Sequence, residues 1–138
     1  MTLTNKQQEG LKIAIARYKA RKPYTCISGF AGSGKSTLVK FIIDALELNM
    51  DDVAYVAYTG KAAKVLAQKG CPNATTAHKL LYFASPTPSG KYIFKPKSTY
   101  QMGYYKLIIV DEVSMLPLQL WTLLLSHRIH VIALGDPG

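Results

Sequence analysis

The chain has only two cysteines, one tryptophan, three arginines and eight acidic residues among its 138 positions. It also lacks any apolar run of about 18 or more residues, the minimum for a membrane-spanning helix. Each scarcity excludes something. Cys26 falls inside an apparent strand and Cys71 in a turn before Pro72, without a Cys-x-x-Cys or His-Cys spacing, so neither a disulfide framework nor a metal site is indicated. The opening "MTLTNKQQEG" carries no hydrophobic signal core, which makes the cytoplasm the expected location. Eight acids against seventeen lysines and arginines leave a formal charge of +9 and a pI near 9.6, and that surplus points to an anionic partner. Nearly half of the residues are hydrophobic, enough for one domain with one core and too few for two of ordinary size.

What is present alternates between strand and helix. Thr4 to about Lys19 sets Leu11, Ile15 and Tyr18 on one helical face. "TCISGF" reads as a strand, Lys35 to about Leu46 as a helix, "VAYVAYT" as a strand and Lys61 to about Gln68 as a helix. A short helix is expected around "AHKLLYF", then a loop or small hairpin from Ser85 to Tyr104, where Pro, Gly, Ser and Lys interleave with aromatics. "KLIIVDE" forms the third strand, Leu118 to Ser126 a helix and "HVIALGD" the fourth strand. Continuous apolar strands separated by helices imply an α/β domain whose parallel sheet is covered on both faces.

The first strand runs into "GFAGSGKST", which satisfies GxxxxGK[ST] with Gly29, Gly34, Lys35 and Ser36, and a helix follows. The spacing has a chemical reason. Glycines, Gly32 among them, let the backbone curl so that its N–H groups, with those of Ser33 and Thr37, face a phosphate. Lys35 brings charge to the outer phosphates, and the Ser36 hydroxyl can ligate Mg²⁺. A nucleoside triphosphate is implied, whatever is then done with it. An acid for the metal comes from "LIIVDEVSM": Asp111 stands at the carboxyl end of a strand, where open α/β sheets bind ligands. Its neighbour Glu112 is placed to act as base for an attacking water, which favours a hydrolase over a kinase. The alternative for this pair is a solvated acidic strand end.

Between Asp52 and Asp111 there is no acidic residue, while Lys61, Lys64, Lys69, Lys79, Lys91, Lys95, Lys97 and Lys106 all lie in that interval. Tyr55, Tyr58, Tyr82, Phe83, Tyr92, Phe94, Tyr100, Tyr104 and Tyr105 share it. Cations beside aromatic rings suit the phosphates and bases of a single nucleic-acid strand, although rings in such numbers also serve as core.

Taken in order, "GFAGSGKST", "AYTGKAAKVL", "TAHKLL", "IIVDEVSML" and "ALGDPG" resemble the successive motifs of superfamily 1 DNA helicases of the RecD, Dda and Pif-like branch. The resemblance covers the whole chain. It implies a RecA-like P-loop NTPase domain with strand order first, fourth, third, second, binding ATP with Mg²⁺ and single-stranded DNA, from an enzyme that moves 5′ to 3′. It assigns DNA contacts to Thr59, Gly60, Lys61, Thr76 and His78, and a strand-separating wedge to Phe94 in the inserted stretch "KYIFKPK". "LTNKQQ" resembles the family's adenine-reading element, with Gln7 as the reader; Thr4 and Gln7 also fit a helix capping box. Tyr58 departs from the family, which commonly has proline there.

In the family "GDPG" continues into a glutamine that senses the terminal phosphate, and a second RecA-like domain supplies a transition-state arginine. The expectation is therefore a single N-terminal ATP-binding domain over residues 1–138, truncated after the fourth strand, with the C-terminal motor domain missing. Of the arginines present, Arg128 precedes the fourth strand and so belongs at the sheet end opposite the phosphates. Two other readings stand beside this one. The first is a non-catalytic module that binds nucleotide or single strands; the second, a P-loop kinase, is disfavoured by the Asp-Glu pair and by the scarcity of arginines for a lid.

Overall fold

In the computed structural model, which describes residues 3–27, 34–71, 73–102 and 105–135 (for 34–36 the backbone only), five parallel strands form one sheet. They are β1 (Tyr24–Ile27), β2 (Val53–Ala57), β3 (Ala74–Thr76), β6 (Leu107–Val110) and β7 (His130–Leu134), in the order β1-β7-β6-β2-β3. The first four follow the order implied by the resemblance. Every residue of β2, β6 and β7 is buried, and the alternation of side chains explains why these strands read as unbroken apolar runs. Leu107 and Ile109 face one side with Val53, Tyr55, Ile132 and Leu134. Ile108 and Val110 face the other with Ala54, Val56 and Val131.

Helices α1 (Asn5–Lys19) and α2 (Gly34–Ala45) cover the first face. Leu38, Ile42 and Ile43 of α2 are fully buried there, in one cluster with Ala14 of α1. The second face is closed by α4 (Ala77–Leu81) and α5 (Leu118–Ser126) through Leu80, Leu81, Leu120 and Leu124. Helix α3 (Gly60–Gln68) joins β2 to β3.

Two expectations need correction. Tyr82 and Phe83 do not extend the helix around "AHKLLYF"; they open β4 (Tyr82–Pro86), which pairs antiparallel with β5 (Tyr92–Pro96). The amide of Lys97 donates to the Leu81 carbonyl at 2.7 Å, so the end of the helix is taken up by the returning strand. The inserted element is thus a hairpin that starts at Tyr82 rather than Ser85. The sheet also gains a fifth strand, β3, whose three residues are too few to show a period. Asn73, in left-handed backbone at φ 59°, anchors it by donating from its side-chain nitrogen to the carbonyls of Met50 and Val53.

Candidate functional site

In a parallel sheet all carboxyl ends fall on one edge, and ligands of open α/β folds bind there. Strands β1, β7 and β6 are neighbours, so their carboxyl ends lie side by side. The segment after β1 is the predicted phosphate loop. Gly29, Gly32 and Ser33 lie outside the described residues; Gly34, Lys35, Ser36 and Thr37 form the first turn of α2, and Thr37 is half-buried. The segment after β6 is Asp111 and Glu112. The Asp111 amide donates to Val56 O at 2.9 Å, extending the β6–β2 ladder by one bond and holding the half-buried residue at the edge. Its carboxylate is felt as far as Cys71, whose thiol is pushed up mainly by burial and secondly by this charge.

Glu112 is exposed and sits in left-handed backbone, φ 50° and ψ 59°, where a side chain is disfavoured. Opposite it, Gly135 follows β7 at φ 101°. A β-carbon at Gly135 would lie 3.7 Å from Glu112 Cα and 3.9 Å from Glu112 Oε2. The Gly135 amide donates to Ile27 O at 3.0 Å, tying the end of β7 to the end of β1. One edge therefore carries the start of α2, the two acids and the glycine that begins "GDPG". Sequence reasoning had no means of seeing the last contact, because Glu112 and Gly135 are brought together only by the pairing of β6 with β7.

Among the described residues no group of three or more His, Cys, Asp or Glu side chains is gathered to hold a metal alone. Mg²⁺ does not require one, since it is commonly held by one or two protein oxygens, substrate phosphates and water. The half-buried Asp111 at the strand end fits that donor set.

Gln7 lies in the first turn of α1, where the capping box is formed on both sides: Thr4 N donates to Gln7 Oε1 at 2.9 Å and Gln7 N to Thr4 Oγ1 at 3.1 Å.

The second group of predicted residues follows β2 and β3 on the same edge. Thr59 and Thr76 cap α3 and α4, accepting from Ala62 N and Lys79 N, each at 3.1 Å. The register pairs Ala57 with Thr76, so the two caps are close neighbours. Gly60 and Lys61 form the exposed first turn of α3. His78 is exposed and lies in a row of rings, 6.2 Å from Tyr58 and stacked at 6.0 Å on Tyr82. That row was not foreseen; the i, i+4 spacing of His78 and Tyr82 was its one signal. Phe94 stands on β5 with 74% of its surface exposed, beside Tyr92 at 66%. The basic interval is less uniform in space than in sequence. Lys106 lies before β6, at the opposite edge, 3.9 Å from Asp52.

Comparison with known proteins agrees with this architecture. Residues 12–138 match the AAA domain family. The chain is 34% identical to the ATP-dependent DNA helicase dda of Enterobacteria phage T4, over 97% of this chain and 31% of that protein. It is 38% identical to the ATP-dependent RecD2 DNA helicase of Deinococcus radiodurans over 65% of this chain and 12% of that one. A crystal structure of Pif1 helicase from Bacteroides superposes with a TM-score of 0.60 at 22% identity, covering 99% of this chain and 32% of that chain. The chain thus spans about a third, or less, of the length of these relatives. With the fold, the motif order and the family match in agreement, the chain belongs to the AAA domain family, as a helicase-type domain of the superfamily 1 branch that holds Dda, RecD and Pif-like proteins.

Proposed function

We propose that residues 1–138 are the ATP-binding N-terminal domain of a 5′ to 3′ DNA helicase or translocase, with the direction resting on family resemblance. The observation that supports this reading is the side-by-side placement of the carboxyl ends of β1, β7 and β6, with the Gly135 amide bonded to Ile27 O and Asp111 and Glu112 following β6. In this reading Lys35 places its charge at the outer phosphates, and backbone N–H groups of Gly29, Gly32, Ser33, Gly34 and Thr37 cradle them. Ser36 and Asp111 hold Mg²⁺, which supplies neutralisation of phosphate charge. Glu112 orients and deprotonates the attacking water, and Gln7, fixed by its capping box, meets the adenine.

Thr59 and Thr76 accept as helix caps and each retains a hydroxyl proton to donate to a strand phosphate. Gly60 and Lys61 add a backbone donor and a charge, and the Tyr58–His78–Tyr82 row offers ring faces to bases. Phe94 is the wedge. Dda is about three times as long as this chain; the phosphate-sensing glutamine is assigned to the continuation of "GDPG" and the finger arginine to a second motor domain, both outside these residues. Taken alone, the 138 residues bind ATP with little turnover, because an arginine finger is worth about 10³–10⁵ in rate in related GTPases.

Calorimetry with Mg-ATP tests the first half. Lys35→Ala should weaken binding by about 1.5–3 kcal/mol, the range for a charged hydrogen bond; equal affinity would remove the phosphate-loop assignment. Steady-state hydrolysis with and without oligonucleotide tests the second. Robust DNA-stimulated turnover that vanishes in Glu112→Gln would show that these residues are a whole motor.

A further inference from the structure

At the edge of the sheet opposite Asp111, a cavity of about 700 Å³ opens among Lys19, Arg21, Lys22, Lys106 and Arg128. Tyr18 and Tyr105 line it between the cations. The cations are ordered by the sheet itself. Arg21 and Lys22 precede β1, Arg128 precedes β7 and Lys106 precedes β6, and these three strands are adjacent. At about 4.7–4.9 Å per strand the row extends over roughly 10 Å. Asp52, before β2, closes it and forms with Lys106 the one ion pair of the row among the described residues.

A plain explanation is that cations gather where helices end. Both α1 and α5 terminate here, and a helix carboxyl end carries roughly half a negative charge. Two such ends offset about one of the five cations and Asp52 another, which leaves a surplus of about three. The backbone argues further. Arg21 and Arg128 each follow a helix C-cap in left-handed conformation at φ 58°, the position usually given to glycine. A side chain there costs about 1–2 kcal/mol. The chain has fourteen lysines and three arginines, and two of the arginines occupy these two positions. The third, Arg17, lies alongside, donating from Nε to Tyr24 O at 2.9 Å. Guanidinium groups, with their forked donors, are the side chains best matched to phosphate oxygens.

We propose that this pocket seats the sugar-phosphate backbone of a nucleic-acid strand, as a second anion site remote from the nucleotide and strand sites described above. A row of separated cations suits successive phosphates more than a single anion. The Tyr18 and Tyr105 rings give a sugar or base an apolar surface between the charges.

Amide chemical shifts of the 138-residue chain, titrated at low salt with a thymidine oligonucleotide of about eight nucleotides, locate the site. Lys22, Arg128, Ile129 and His130 should shift, and should still do so in Lys61→Ala, which weakens the other edge. The double substitution Arg21→Gly with Arg128→Gly removes both guanidinium groups while relieving left-handed backbone, so the fold is retained. It should make the log-log salt dependence shallower by about 1.4, two phosphate contacts at about 0.7 each for a single strand. Shifts confined to Thr59–Lys61 would overturn the proposal, as would an unchanged slope in the double variant. Inorganic phosphate moving the same amides as strongly at equal phosphate concentration would also overturn it, because the pocket would then read an anion and not a strand.

Discussion

Glu112 and Gly135 face each other at positive φ, and substitution should affect them in opposite directions. For Glu112→Gly the left-handed residue no longer carries a β-carbon, a relief of about 1–2 kcal/mol. The unfolded chain gains freedom that offsets about 0.4–1 kcal/mol of this. The Glu112 side chain caps nothing and is exposed, so little contact is lost. The balance is a gain of about 0.5–1 kcal/mol, or a rise in Tm of about 2–4 °C for a chain of this size. Gly135→Ala meets no clash, since its nearest neighbours are 3.7–3.9 Å away, but φ 101° is hostile to any L side chain. It should lower Tm by about 3 °C or more. Glu112→Gln, which keeps the β-carbon, should leave Tm unchanged. Thermal unfolding followed by circular dichroism compares the three. A fall in Tm for Glu112→Gly with no fall for Glu112→Gln would refute the argument, for it would mean that the left-handed backbone is not what burdens this site. A stabilised Glu112→Gly that still binds Mg-ATP would identify Glu112 as a residue held at a cost to the fold for the sake of chemistry.

Single-strand binding at the Thr59–Lys61 edge should fall with salt at a log-log slope of about −2 to −3; Lys61→Ala should make it shallower by about 0.7, and Lys12→Ala should leave it alone. Burial pushes His127 and His130 below the ordinary value of 6.5, and Nδ1 of His130 donates to Lys22 O at 2.6 Å while Nε2 lies 2.8 Å from Thr25 Oγ1. Below about pH 6.5 the unfolded chain therefore binds more protons than the folded one, and Tm should drop as pH is lowered from 6.5 toward the depressed values. His127→Leu should flatten that dependence at small cost, because its buried Nε2 has no partner among the described residues. Phe94→Ala should change stability by less than about 0.5 kcal/mol, as the ring is mostly in solvent, and under the proposed helicase function should impair strand separation more than ATP hydrolysis.

Four of the five sheet strands were legible because burial leaves local marks, while their order came from the family resemblance. "LIIV" and "VIAL" are apolar at every position since both faces are covered, and a glycine-rich turn between strand and helix is written in consecutive residues. The site was legible only as separate pieces. Nothing in the order of residues places Gly135 against Glu112, or Arg21 beside Arg128, because those contacts arise from strand pairing across about a hundred positions or from neighbouring strands distant in sequence. The charge reading erred for a related reason. Lys61 follows a strand and Lys106 precedes one, so a parallel sheet sends them to opposite edges although both lie in the same acid-free interval. Tyr82 and Phe83 continue an apolar pattern that suits either helix or strand, and only the Lys97 amide at Leu81 O decides between them.

The hairpin follows α4 without an intervening residue: Leu81 ends one element and Tyr82 begins the other. Both flanks of this joint are stiff. Leu80 and Leu81 are locked in the core, Lys97 is bonded back to Leu81 O, and Tyr82 is stacked on His78. Mechanically the hairpin is a cantilever with no hinge at its root. Phe94 stands three residues from Lys97, a lever arm of roughly 10 Å at the usual strand rise. A load on that ring is delivered as torque to α4 and, through Leu81, to the sheet face shared with Ile108 and Val110. Phe94 and the His78 row are thus mounted on the same joint, one through β5 and Lys97, the other through α4 and Tyr82.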